Sequence, residues 1–144
     1  MGRIMGLDYG SKTVGVALSD EMKVISSPFE TVVRDRETKM RPTMRRLCDI
    51  ALSQEVELVV VGDPVNMDGT SGERSAKSRK FAEDFKYRLL QEGLDIPVVM
   101  QDERLSTVGA DEILEEAEVS KGERKTYIDK IAASIILREF MNKQ

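Results

Sequence analysis

A continuous apolar run, ELVVVG at residues 57–62, constrains the fold of this chain more than any other feature. A strand with one solvated face alternates apolar and polar residues, whereas a continuous apolar strand is covered on both faces. A second run, IPVVMQD at residues 96–102, has the same character. The pattern predicts parallel strands covered by helices, and the length of 144 residues predicts a single domain over residues 1–144.

The rest of the chain predicts the other strands and helices of an α/β fold. Residues 3–8, 13–20 and 24–33 predict a three-stranded antiparallel meander. Pro28 favours an edge position for its third strand. Apolar spacing predicts helices over residues 38–54, in a segment ending near residue 93, and over residues 106–118 and 126–141. Right-handed crossovers then give a five-stranded mixed sheet, the meander plus parallel strands, with helices on both faces.

The composition excludes several kinds of chemistry. The chain has no histidine and one cysteine, Cys48, which rules out imidazole catalysis, cysteine-rich zinc sites and an internal disulfide. No apolar run approaches the roughly 20 residues of a membrane span, and no signal-peptide core precedes Asp8, so we expect a cytoplasmic protein. The net charge of −4 argues against a generally sticky nucleic-acid binder, although basic residues are clustered locally.

Carboxylates occupy positions where apolar residues are expected. Asp8 ends the first strand, and Asp102 with Glu103 ends the last. Asp129 falls within the apolar arc of the final helix, so its side chain is predicted to face the sheet. Ligands gather at the carboxyl ends of parallel strands, and clustered acids repel unless a cation compensates them. Carboxylates without histidine or cysteine suit Mg²⁺ or Mn²⁺, which together with water would hydrolyse phosphodiesters.

A purely structural interpretation of these acids stays open at this stage. Asp8 could accept hydrogen bonds from its turn, Asp102 could pair with Arg104, and Asp129 could cap the last helix. A structural role for all three acids at once is less probable than such a role for any one of them.

Glycines and basic residues mark candidate contacts with phosphate. The loop and helix start at residues 62–77, GDPVNMDGTSGERSAK, and the run SKGERK at residues 120–125 are candidate backbone-binding segments. Since aromatic residues make up 5% of the chain, recognition by shape and backbone is more plausible than base stacking. The candidate phosphate-binding residues are Lys12, Gly69, Thr70, Arg74, Lys77, Arg104, Lys121, Arg124 and Lys125.

Four ordered motifs resemble one known family. They are GLDYGSKTVGVALSD, GDPVNMDGTSGERS, DERLST and KTYIDKIAASIIL, and they span nearly the whole chain. The resemblance is to the YqgF/RuvX family of RuvC-like Holliday junction resolvases, also described as pre-16S rRNA nucleases. It implies an RNase H-like fold and a Mg²⁺-dependent endonuclease. By position, Asp8, Asp102 and Asp129 look like its metal-binding acids, with Glu103 a fourth catalytic candidate.

The resemblance has one departure and leaves function partly open. Asp63 stands where the family usually carries an apolar residue; it either joins the metal site or points away and caps the loop, which we favour. The substrate is either four-way junction DNA or precursor ribosomal RNA, and the former implies a homodimer. A non-catalytic, ribosome-associated module is the alternative function. The first motif also resembles the ATP-phosphate hairpin of the actin and Hsp70 fold, but 144 residues are too few for its two domains.

Overall fold

Five strands and three helices make up the part of the chain that the structure describes. The structure is a computed structural model that describes residues 2–10, 12–33, 40–65, 72–102 and 121–143, with the side chains of the last helix described from residue 128. The strands are β1 (Arg3–Tyr9), β2 (Thr13–Ser19), β3 (Ser26–Val33), β4 (Val56–Asp63) and β5 (Val98–Asp102). The helices are α1 (Arg41–Ser53), α2 (Glu73–Gln91) and α3 (Lys121–Asn142).

The strands form one mixed sheet in the order β3-β2-β1-β4-β5. β1 pairs antiparallel with β2, and β2 with β3, whereas β1, β4 and β5 run parallel. This confirms the predicted meander followed by parallel strands. β3 lies at an edge, as Pro28 predicts, and its register with β2 shifts between Val16 and Ala17. Because β1 and β5 run parallel, their carboxyl ends lie at the same edge of the sheet.

Helices cover both faces of the sheet. α1 and α2 pack on one face against a cluster that includes Val59 and Val61 of β4. α3 packs on the other face, where Val60 of β4 joins Ala133 and Ile136 in a second cluster. Successive side chains of β4 therefore enter different cores, which is the physical reason for its continuous apolar run.

Several element boundaries differ from the sequence-based expectations. β3 begins at Ser26 and not at 24, and α1 begins at Arg41 and not at 38. α3 begins at Lys121, five residues before the predicted start at 126, because Lys, Arg and Glu in the run KGERK are good helix formers. β5 begins at Val98, two residues after the predicted start at 96. The helix predicted over residues 106–118 lies outside the described residues. Among the described helices, none is both long and apolar enough to cross a membrane.

Candidate functional site

Asp8 lies near the carboxyl end of β1, on the face that α3 covers. Strand alternation places Ile4, Gly6 and Asp8 on this face, and Ile4 packs in the same cluster as the apolar side chains of α3. The side chain of Asp8 is half-buried, and in the sheet the residue pairs with Gly15 of β2. The first predicted acid thus lies on the central strand of the sheet, near its carboxyl end and beneath α3.

Two glycines allow α3 to lie directly on β1 and β2. A Cβ atom on Gly15 would lie 1.9 Å from the carbonyl oxygen of Asp129, and one on Gly6 would lie 2.9 Å from the carbonyl oxygen of Ala133. Both distances are below any real contact, so only glycine fits the present packing. Gly15 also pairs with Asp8 in the sheet, so it lies next to both acids, beside Asp8 and under the backbone of Asp129.

The proximity of Asp8 and Asp129 has an electrostatic consequence. The pKa of Asp8 is raised to about 6, first by burial and then by the negative charge of Asp129, while the guanidinium of Arg74 opposes the rise. An ionised carboxylate is therefore disfavoured at this position unless a positive charge accompanies it. Two carboxylates without histidine or cysteine are donors that suit a hard divalent cation such as Mg²⁺.

Asp129 is also held by a hydroxyl of the sheet. Thr13, the first residue of β2, donates a hydrogen bond of 2.6 Å from its Oγ1 to Oδ2 of Asp129. Neither Thr13 nor Gly15 was singled out by the sequence. The signal for Gly15 was its place inside a strand, where glycine often marks a close approach of another backbone.

Asp102 lies at the same sheet edge but apart from the Asp8 and Asp129 pair. It ends β5 beside Asp63 of β4, so two strand spacings, roughly 10 Å, separate β5 from β1. Val98 and Met100 pack on the α1 and α2 face, and alternation places Asp102 on that face too. Among the residues that the structure describes, no group of three acids could hold a metal ion. The structure brings together Asp8 and Asp129, and the assignment of Asp102 as a ligand stays a prediction.

Asp63 is engaged by α2. Its carboxylate, in a residue only 6% exposed, accepts hydrogen bonds from the hydroxyl of Ser75 and from Nε and Nη2 of Arg79, the last two at 3.1 and 2.9 Å. Alternation along β4 places Asp63 with Val59 and Val61, on the face away from Asp8. Asp63 therefore points away from the acid pair, and it fastens the start of α2 to the sheet edge.

The candidate phosphate-binding residues that the structure describes lie in three segments. Arg74 lies exposed in the first turn of α2, close enough for its charge to influence Asp8. Lys77 is 3.7 Å from Glu73 one turn earlier, and Lys12 is exposed just before β2. The structure places Lys121, Arg124 and Lys125 within α3, the helix that carries Asp129. Gly69, Thr70, Glu103 and Arg104 lie outside the described residues.

Comparison with known proteins gives consistent results over the whole chain. A family model described as "RuvX: Holliday junction resolvase" matches residues 2–143. Proteins of Lachnospira eligens and Halothermothrix orenii, both named "Putative pre-16S rRNA nuclease", are each 46% identical to this chain over 142 residues. The alignments cover 99% of this chain and 98% and 96% of those relatives.

A solved structure shows the same fold. It is Thermus thermophilus RuvC in complex with a Holliday junction substrate, which superposes with a TM-score of 0.59. The sequence identity is 15%, over 98% of this chain and 94% of that one. This similarity confirms the RNase H-like fold that the resemblance implied.

Proposed function

Because this chain belongs to the RuvX family, we propose that it is a metal-dependent endonuclease that hydrolyses phosphodiester bonds in structured nucleic acid. The observation that carries the proposal is the pairing of Asp8 with Asp129 beneath α3, where burial and like charge raise the pKa of Asp8 to about 6. Two neighbouring carboxylates in such surroundings lower the free energy of unfolding unless a bound ligand compensates their charge. A divalent cation is the ligand that fits two carboxylates.

Each residue of the site has a distinct part in this proposal. Asp8 and Asp129 would hold Mg²⁺ or Mn²⁺. Asp102 and Glu103 stay ligands predicted from the sequence, and alternation along β5 places Asp102 on the other face of the sheet. A metal bound there would activate a water molecule as the nucleophile and neutralise charge on the phosphate. Arg74, exposed at the start of α2 and close to Asp8, binds a phosphate of the substrate.

We propose precursor 16S ribosomal RNA as the substrate, in the cytoplasm. The support is the name of two relatives that are 46% identical over nearly their whole length. Four-way junction DNA is the second candidate, because the description of the matching family names junction resolution. Symmetrical junction cleavage needs two active sites, so this second function additionally requires a homodimer.

Cleavage assays with matched variants test the proposal. Labelled precursor 16S rRNA and junction DNA are incubated with Mg²⁺ and either wild type, Asp8→Asn or Asp84→Asn. Asp84 is an exposed α2 acid paired with Lys80, and its replacement is the control. We expect Asp8→Asn to lower the cleavage rate at least ~100-fold, because metal-bound catalysis contributes several kcal/mol. Asp84→Asn should match wild type.

Each outcome of this assay has a defined meaning. Cleavage of RNA but not of the junction by a monomeric wild type assigns the substrate as proposed, whereas cleavage of the junction by a dimer assigns the second candidate. Equal cleavage by wild type and Asp8→Asn would contradict the site. If wild type cleaves neither substrate and binds no Mn²⁺, the chain is a non-catalytic module.

A further inference from the structure

Thr13 of β2 contacts the carboxylate of Asp129 through its hydroxyl. The bond joins residues 116 positions apart in the chain, it is short at 2.6 Å, and it is partly buried. A hydroxyl that donates to an ionised carboxylate makes one of the stronger hydrogen bonds in proteins. This bond fixes the rotation of the Asp129 side chain by way of one oxygen, Oδ2.

The backbone of Thr13 is itself held on both sides. Its carbonyl oxygen accepts a hydrogen bond of 2.8 Å from the N–H of Gly10 across the turn, and in the sheet it pairs with Val33 of β3. Two residues further along β2, Gly15 contacts the backbone of Asp129. Thus β2 fixes both the main chain and the side chain of this acid.

Fixing Asp129 matters because its neighbour carries the same charge. Two carboxylates that are free to rotate would turn away from one another, and a cation would have to reorganise them on binding. A partner that holds a ligand in its binding orientation before the metal arrives removes that cost. Loss of such a partner typically lowers metal affinity or activity 10–100-fold.

We propose that Thr13 is a positioning residue of the metal centre, whose hydroxyl holds the Asp129 carboxylate beside Asp8. This inference rests on the proposed function, since it requires that the two acids bind a cation. Thr13 acts through Asp129 and needs no contact with the substrate. The role depends on the hydroxyl, so serine can replace threonine and valine cannot.

Calorimetric titration with Mn²⁺, in the absence of nucleic acid, tests the proposal. Thr13→Val keeps the shape of the side chain and removes the donor, whereas Thr13→Ser keeps the donor. Ser26→Ala is the matched control, because Ser26 of β3 donates a hydrogen bond of 2.7 Å to the carbonyl oxygen of Ser134 in α3, away from the acids. Thermal unfolding of each metal-free variant reports whether the fold is kept.

We expect Thr13→Val to raise the Mn²⁺ dissociation constant at least ~10-fold. Thr13→Ser and Ser26→Ala should stay within about threefold of wild type. Equal or tighter binding by Thr13→Val, or equal weakening by Ser26→Ala, would overturn the role of Thr13 and leave the metal site intact. Absence of Mn²⁺ binding by wild type would instead overturn the metal site, and the inference with it. If Thr13→Val does not fold, weak binding by folded Thr13→Ser overturns the inference and binding like wild type supports it.

Discussion

Asp8 is in a position that favours its neutral form when no metal is bound. Its pKa rises from an ordinary value of 3.8 to about 6, first because it is buried and then because Asp129 lies near. The folded metal-free protein therefore binds a proton more tightly than the unfolded chain between roughly pH 4 and 6. Its stability falls as the pH rises through this window, and at neutral pH the ionised group opposes folding.

Replacing this acid should stabilise the metal-free protein. A pKa change of this size corresponds to about 3 kcal/mol, and we expect Asp8→Asn to raise the free energy of unfolding by about 2 kcal/mol at pH 8. Near pH 4 the difference should vanish, because wild-type Asp8 is then protonated. Urea unfolding in the presence of a chelator measures both values.

The control for this measurement is an acid without such surroundings. Asp84→Asn removes an exposed carboxylate that pairs with Lys80 on α2, and its effect should be small at both pH values. If Asp8→Asn is less stable than wild type at pH 8, Asp8 makes a favourable contact that outweighs its burial. The acid pair would then no longer support a cation site.

At the scale of elements, the close packing of α3 on the sheet depends on Gly15. A Cβ there would lie 1.9 Å from the carbonyl oxygen of Asp129 and 2.9 Å from the amide nitrogen of Lys130. At Gly6 a Cβ would lie 2.8 Å from Cβ of Leu137 and 2.9 Å from the carbonyl oxygen of Ala133, which is a smaller overlap. At both positions the atoms met are fixed by the backbone of α3, so the larger overlap at Gly15 would force β2 and α3 further apart.

We therefore expect Gly15→Ala to be the more damaging of two matched substitutions. Overpacking typically costs about 1–3 kcal/mol, which we expect for Gly6→Ala, and Gly15→Ala should exceed about 3 kcal/mol. The gain of up to about 1 kcal/mol from a less flexible unfolded chain does not offset this. Urea unfolding of both variants gives the comparison. A Gly15→Ala protein as stable as Gly6→Ala would show that α3 does not rest on β2 as described.

The elements themselves were largely predictable from local patterns. Continuous apolar runs identified β4 and β5, and Pro28 identified the edge strand, because these signals depend on burial and backbone chemistry within a few residues. The start of α3 was placed five residues late, since charged residues are compatible with both loops and helices. Thr13 and Gly15 were not predicted as partners of Asp129, because their contacts join segments that only the folded chain brings together.

For the molecule as a whole, the candidate site was predictable where a local pattern marks a residue, and not where contacts join distant segments of the chain. Asp8 and Asp129 stood out because a carboxylate interrupts an apolar pattern, and the structure brings these two together. For Asp102 the pattern identified the sheet edge, whereas its face follows from its register two residues after Met100, and its role as a ligand stays a prediction. For Asp63 the sequence left two roles open and favoured the one away from the metal site, and its carboxylate is buried against Ser75 and Arg79.

Metal addition should reverse the order of stability between wild type and Asp8→Asn. A ligand that binds only the folded state stabilises it by about 2.7 kcal/mol at one hundred times its dissociation constant. Because Asp8 and Asp129 lie on β1 and α3, a bound cation would connect elements from opposite ends of the chain, so the gain should appear in global unfolding. Asp8→Asn lacks one ligand and should gain little.

Parallel unfolding experiments with a chelator and with saturating Mn²⁺ measure this reversal. Wild type should be the less stable protein in chelator and the more stable one in Mn²⁺, with Asp84→Asn following wild type in both. Equal stabilisation of wild type and Asp8→Asn by Mn²⁺ would mean that the ion binds elsewhere. The reversal would show that Mn²⁺ offsets the unfavourable burial and like charge of Asp8 and Asp129, as the proposed metal-dependent nuclease requires.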